Sequence, residues 1–154
     1  MSIDFVHSSS QRQRQTGGEL GGACLGPEPA ALSASWPEQR VPAQLLGGGS
    51  MPTREVWRSG GPVISGASEG ITWCRSGEVM FGVIEIDEAA YAGSPAGVES
   101  ASAEAYARIF RLLERQDIPH LWRVWNYLAH INRIDEGLER YRQFCKGRHE
   151  AFIA

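Results

Sequence analysis

Apolar and polar residues change period along this chain, and the changes mark its elements. In the run LWRVWNYL from Leu121 to Leu128, Leu121, Arg123, Trp125 and Tyr127 share one face, and Trp122, Val124, Asn126 and Leu128 share the other. Bulk on both sides, with much Trp, Val and Tyr, predicts a strand covered on both faces. After the breaker-rich HINRIDEG, apolar or aromatic residues return at Leu138, Tyr141, Cys145 and Phe152, and Arg148 fills the vacancy in a three-then-four spacing. That spacing predicts a helix over 137–152. Upstream, Tyr106, Ile109, Phe110 and Leu113 lie on one face of another helix, with Ser100 or Ser102 as its N-cap and Pro119 ending it.

The amino-terminal part reads as strands and loops. Ile71–Arg75 and Glu78–Asp87 flank Ser76-Gly77, a short hairpin signal, and Arg54–Ser59 is a strand followed by a corner at Gly60–Pro62. Between Glu19 and Gly49, glycine pairs and spaced prolines predict loops around one or two short strands, with Val41–Leu46 the best candidate. Residues 1–18, polar and rich in Ser, Gln and Arg, bury too little apolar surface to offset ordering and read as a disordered tail, leaving 19–154 as one domain. Strands, a helix, a strand and a helix in that order predict an α+β fold, two helices on one face of a mixed β-sheet. No internal repeat is visible.

Composition narrows the classes. A hydrophobic share of 42% over 154 residues suffices for one core. No stretch is long and apolar enough to span a bilayer, so no membrane partner is expected. The amino terminus lacks an apolar run after a basic segment, which leaves the cytoplasm as the expected location. Cys24, Cys74 and Cys145 are odd in number and lack CxxC spacing, so they read as reduced core residues and not as a disulfide framework. His120, His130 and His149 share no ligand spacing, and no metal is expected.

Charge is uneven: residues 1–104 hold six Arg against twelve acids, and 105–154 hold nine Lys or Arg against six acids. Interleaved cations and aromatics near the carboxy end resemble a single-strand binder's pattern. The net charge of −3 and tryptophans that alternate like core residues argue against it, and no nucleic acid is expected. Glu85, Asp87 and Glu88 read as a solvated, acidic strand end. Arg140 and Arg142 fall off the helical stripe and read as solvated, and Tyr127 reads as a core aromatic with a satisfied hydroxyl. Arg123 has two readings, a bridge to Glu139 or Asp135 and a ligand contact. Arg148, inside the stripe, either meets an anion or a carbonyl or snorkels to water at the helix end.

The order R-V-W-N-Y-L at Arg123–Leu128, I-N at Ile131-Asn132 and G-L-E-R-Y-R-x-F-C-x-G-R-x-x-A-F from Gly137 to Phe152 resembles the chorismatases. The clear likeness covers residues 104–152, with looser support from P-x-x-L-L-G at Pro42–Gly47 and E-V-W-R-S at Glu55–Ser59. These bacterial enzymes, also grouped as pteridine-dependent deoxygenase-like proteins, hydrolyse chorismate. They feed secondary metabolism through polyketide starter units and xanthomonadin pigment, or supply ubiquinone precursors. The resemblance implies a RidA-like (YjgF-like) α+β fold built of two similar halves, of which this chain holds one, incomplete at its carboxy end. Further strands and a carboxy-terminal domain with the catalytic glutamate are expected as the missing partner.

Chorismate is a dianion with a ring hydroxyl and an enolpyruvyl ether. Its pocket needs guanidinium forks, hydroxyl and amide donors, and a general acid for ether hydrolysis. By motif position Arg148 is the expected carboxylate ligand, with Tyr141, Asn126 and Arg123 as further substrate-binding residues. No catalytic acid is assigned within the chain, and no cofactor is implied. The expected product is a dihydroxycyclohexadiene carboxylate or a hydroxybenzoate. The alternative is a non-catalytic RidA-like ligand-binding module, and the oligomeric state is left open.

Overall fold

The computed structural model of the chain describes residues 18–27, 34–43, 52–92 and 97–154, together with the backbone of residues 3–9. The fold is α+β, and it divides into two compact units, Met1–Ile84 and Glu85–Ala154.

The first unit holds β1 (Ile3–Ser9), β2 (Glu19–Gly26), β3 (Glu38–Pro42), β4 (Thr53–Ser59), β5 (Ile64–Ser68), β6 (Ile71–Ser76) and β7 (Val79–Ile84). The expected mixed sheet is present, and the unit holds a second, antiparallel sheet. A mixed sheet in the order β1-β4-β2-β3 has β2 and β3 parallel, and β5-β6-β7 is antiparallel. With β3, the strand β2 makes up the one or two short strands expected between Glu19 and Gly49, at a place the sequence did not specify. Its sequence ELGGACLG is buried from Leu20 through Cys24, and a strand covered on both faces shows no alternation to read. Its glycines permit the closeness: a Cβ on Gly22 would meet the Glu55 carbonyl of β4, and one on Gly21 would meet the Phe81 ring of β7.

Leu20, Cys24, Val56, Ile71, Trp73 and Cys74 form this core. A buried hydrogen bond of 2.8 Å between the hydroxyls of Ser59 and Ser76 links β4 to β6. The Arg54 guanidinium meets the Glu38 carboxylate at 2.6 Å across the same unit. Residues 3–9, expected to be mobile, instead pair antiparallel with β4 from Ile3↔Ser59 to Ser9↔Thr53. Sheet pairing supplies a backbone partner that the polar composition does not reveal. Residues 1–2 and 10–17 of the expected tail lie outside the described residues. So do residues 44–46 of the Val41–Leu46 candidate, whose Val41 and Pro42 end β3.

The hairpin expected near residue 76 is β6–β7. Its turn sits one residue later than the sequence suggested, because Ser76 pairs with Val79 and Gly77 (φ 58°) leads the two-residue loop. The strand β5 was hidden by its small, polar sequence ISGAS. It joins β6 through Glu69 and Gly70, whose φ values of 58° and 73° are those of a type I′ turn.

The second unit holds a short 3-10 helix at Glu88–Tyr91, α1 (Gly97–Arg115), the two-residue strands β8 (Ile134–Asp135) and β9 (Leu138–Glu139), and α2 (Arg140–Ile153). The helix α1 starts before either serine proposed as its cap. Ser102 is buried inside it, and its hydroxyl donates to the Val98 carbonyl at 2.6 Å. The far end follows the Schellman pattern: Ile118 N–H donates to Leu113 O, Asp117 N–H to Glu114 O, and Asp117 takes the left-handed conformation (φ 51°) just before Pro119.

Two expectations fail here. Residues 121–128 form no strand, and Trp122, Trp125 and Tyr127 are exposed where covered faces and a core Tyr127 were expected. A β-forming run becomes a strand only beside an edge that accepts it. Among the described residues of this unit only β8 and β9 pair, and they pair with each other. The helix α2, for its part, begins at Arg140, because Glu136 and Gly137 (φ 50° and 78°) turn the chain between β8 and β9.

Its buried face also differs from the apolar stripe. Arg140, Gln143 and Gly147 are buried while Tyr141 and Phe152 are exposed. The reason is Gly147, where a Cβ would run into the Glu99 carbonyl of α1. The two helix backbones close on the smallest residue, and that contact decides which face turns inward.

Candidate functional site

Within the second unit, aromatic rings from both helices form one array. Tyr106 of α1 lies 6.3 Å from Phe144 and 5.7 Å from Phe152 of α2, and Phe110 lies 5.0 Å from Phe152, edge to face. Each such pair adds roughly 0.5–1.5 kcal/mol beyond its burial, enough to hold two helices in register. The array reaches outward at two points. The Tyr106 hydroxyl donates to Asn126 Oδ1 at 3.1 Å, and the Arg148 guanidinium sits 5.5 Å from the Phe144 ring centre.

Asn126 and Arg148, 22 positions apart by their numbers, are thereby anchored to one rigid element. The exposed Asn126 amide accepts from Tyr106 through Oδ1, and its NH2 has no hydrogen bond among the described residues. Arg148 is half-buried, and the only interaction found for it among the described residues is with Phe144. A ring face holds the guanidinium without consuming its five donors, so its fork can meet a carboxylate.

The other two expected residues stand apart from this array. Arg123 is exposed and lies 5.4 Å over the Trp125 ring, not against Glu139 or Asp135. Tyr141 is exposed at the start of α2, and its backbone N–H donates to Ile131 O at 3.0 Å. Neither makes a hydrogen bond, ion pair or ring contact with the array.

Sequence reading missed the residue that fixes the site's frame. Arg140, expected in solvent, has a side chain only 4% exposed. It donates to Glu88 Oε2 at 2.6 Å and to Ala129 O at 3.2 Å, and lies 3.7 Å from Asp135 Oδ2. Buried guanidinium charge is tolerated only when paired in this way. Glu88 is thus an ion-pair partner and not a bare strand edge, and Asp87 caps the 3-10 helix through the Ala89 N–H at 3.0 Å. Gln143 reinforces the joint, donating to Asp135 O at 2.6 Å and Leu138 O at 3.1 Å. Phe144 and Gly147 were legible only as members of the F-C-x-G-R order.

Five acids of this unit, Glu88, Glu99, Glu104, Asp135 and Glu139, are paired with cations. Lys146 meets Glu99 at 2.7 Å, and that hydrogen bond raises the lysine above its ordinary pKa. Arg108 binds Glu104 at 2.7 Å and, through that hydrogen bond, holds the carboxyl below the usual range. Arg133 pairs with Asp135, and Arg142 with Glu139. Held by the Phe144 ring, with no ion pair among the described residues, Arg148 can meet a carboxylate. Among the described residues no group of three or more His, Cys, Asp or Glu is placed to hold a metal ion, and no helix is long and apolar enough to cross a membrane.

Residues 55–154 match the family described as chorismatase FkbO/Hyg5-like, N-terminal. A chorismatase of Streptomyces rapamycinicus is 40% identical over 102 residues, which make up 65% of this chain and 28% of that protein. A 3-hydroxybenzoate synthase of Streptomyces hygroscopicus is 34% identical over 123 residues, 79% of this chain and 34% of that protein. A chorismatase crystal structure superposes with a TM-score of 0.78 at 29% identity, covering 99% of this chain and 45% of that one. The chain spans about a third of the length of these curated relatives.

Proposed function

Because the chain belongs to the FkbO/Hyg5-like chorismatase family through its amino-terminal region, we propose that it forms the RidA-like amino-terminal part of a cytoplasmic enzyme that hydrolyses chorismate. The product is a dihydroxycyclohexadiene carboxylate or a hydroxybenzoate. The observation that carries this reading is Arg148: a half-buried guanidinium held by a ring, with no carboxylate paired to it among the described residues. Its fork takes one substrate carboxylate in two parallel hydrogen bonds. Asn126, with its acceptor already bound by Tyr106, offers amide donors. Tyr141 and Arg123, both exposed, are secondary candidates for substrate contact.

The general acid for ether cleavage then comes from the portion that relatives possess and this chain does not span. Residues 1–154 alone are expected to show no turnover of chorismate. The direct test joins that portion to this chain and compares wild type with Arg148→Lys, which keeps the charge and loses the fork. The expected result is a fall in kcat/KM of about tenfold or more with an almost unchanged melting temperature. A loss below about 1 kcal/mol of transition-state stabilisation, or a lowered melting temperature with intact kinetics, sinks the assignment.

A further inference from the structure

In the first unit, three neighbouring strands bring two arginines to a single buried carboxylate. In register across β3, β2 and β4, Arg40 stands opposite Cys24, and Cys24 opposite Arg54. Side chains at directly paired positions share one face of a sheet. Glu38, two residues before Arg40 and therefore on that face, has a side chain only 5% exposed. Its two oxygens divide between the cations: Oε1 lies 2.6 Å from Arg54 Nε, and Oε2 lies 3.6 Å from Arg40 Nε. The buried Cys24 sulfur feels the charge of both guanidiniums and is hydrogen-bonded to Arg54. The half-buried Trp36 ring stands to one side, its centre 6.0 Å from the Arg54 guanidinium carbon.

The charges of this cluster do not cancel. Burial above all holds the Cys24 thiol above its ordinary pKa, so it is neutral near neutral pH. Two guanidiniums against one carboxylate then leave one positive charge over, on a face where water screens less than at an open surface. The cations also reach further outward than the carboxylate that joins them, with side chains 38% exposed for Arg40 and 32% for Arg54. Arg54 turns Nε to Glu38, so the two-nitrogen end of its fork points away from that carboxylate. An anion arriving from water meets cations first.

From this arrangement we propose that the Arg40–Arg54 pair is a binding site for one aromatic monocarboxylate. The carboxylate takes the outer end of the Arg54 fork in two parallel hydrogen bonds and neutralises the charge that Glu38 leaves over. Trp36, beside that fork, supplies a flat apolar wall for the ring of the acid. The site lies wholly within the first unit and does not rest on the chorismatase reading, whose candidate residues all lie in the second.

Benzoate is titrated into the full chain at constant ionic strength while the Nε–H signals of Arg40 and Arg54 are followed by NMR. Acetate and chloride serve as comparison anions. The expected result is saturable movement of the Arg54 signal, with a Kd for benzoate of about 1 mM or tighter, weaker by about threefold or more for acetate. Chloride, which cannot engage a fork, gives no saturation. Arg54→Gln weakens benzoate binding by about tenfold or more, whereas Arg58→Gln, which removes the β4 arginine paired with Glu19, leaves it unchanged. Arg40→Gln keeps the 2.6 Å Arg54–Glu38 pair and weakens benzoate by about threefold or more, so it carries the test if Arg54→Gln does not fold. No saturation in the wild type, an equal response to chloride, or unchanged affinity in the Arg40 or Arg54 variant overturns the proposal and leaves an ion cluster of the fold alone. Equal affinity for acetate overturns the assignment of an aromatic acid.

Discussion

Arg140 and Glu88, 52 positions apart in sequence, meet at 2.6 Å and tie the first turn of α2 to the 3-10 helix that precedes α1. The same guanidinium reaches Ala129 O, so one side chain closes the irregular segment before β8 onto both elements. Arg148 lies eight residues further along α2, about 12 Å up the helix axis. Its placement over Phe144 depends on a helix whose start is fixed by charge and whose middle is fixed by Gly147.

The Arg140–Glu88 pair is expected to behave as a unit. Glu88→Ala leaves a buried guanidinium with only Asp135 and a carbonyl, while Arg140→Met removes the charge and keeps apolar bulk. The double variant should be less destabilised than the sum of the singles by about 1–3 kcal/mol. Urea denaturation of the four proteins measures this coupling, and additive costs would show that the two side chains do not depend on each other.

Gly147→Ala sets two effects against each other. Alanine favours helix by about 1 kcal/mol over glycine. The added methyl, however, collides with the backbone of Glu99, which cannot rotate away as a side chain can. Overpacking typically costs about 1–3 kcal/mol, and backbone contact puts this site at the upper end. A lowered melting temperature is expected; a raised one would mean that the helices are free to separate.

What the sequence discloses follows from what periodicity measures. The hairpin at β6–β7, the strand β4 and the helix around Tyr106 were readable, from turn residues, β-forming residues and helical spacing. The strand β2 buries both faces with glycines, so a strand was expected in its stretch but its position was not readable. The helix α2 was recognised, but its inward face was misjudged, because burial there is decided by close backbone approach at Gly147 and by the ion pair of Arg140, neither of which apolar spacing records. For the candidate site, Asn126 and Arg148 were legible through motif order. Their shared anchor, the Tyr106 hydroxyl and the Phe144 ring, emerges only from the packing of α1 on α2.

Burial pushes the thiol of Cys74 above its ordinary pKa, with no charged neighbour contributing. The folded form therefore favours the neutral thiol. Its contribution to stability is complete below the unfolded value, about 8.5, and is lost as pH rises through the folded value. The urea midpoint should fall between pH 8 and 10 by more in wild type than in Cys74→Ala. Parallel declines in the two proteins would remove Cys74 as the cause.

Tyr106→Phe separates the structural role of the aromatic array from its role in orienting Asn126. The ring stays, so its contacts with Phe110, Phe144 and Phe152 should persist. The lost hydrogen bond to Asn126 Oδ1 should cost only about 0.5–1.5 kcal/mol, since the exposed amide can turn to water. If Asn126 binds substrate, freeing it raises KM for chorismate in the extended enzyme by several-fold, by the uniform-binding logic of mutant kinetics. Asn126→Ala should raise KM at least as much, and adding Tyr106→Phe to it should cost little more, because the hydroxyl then has nothing to hold. Melting curves and steady-state kinetics on the four proteins provide the test. A Tyr106→Phe enzyme with a lower melting temperature but unchanged KM would confine the hydroxyl to stability and remove Asn126 from the binding set.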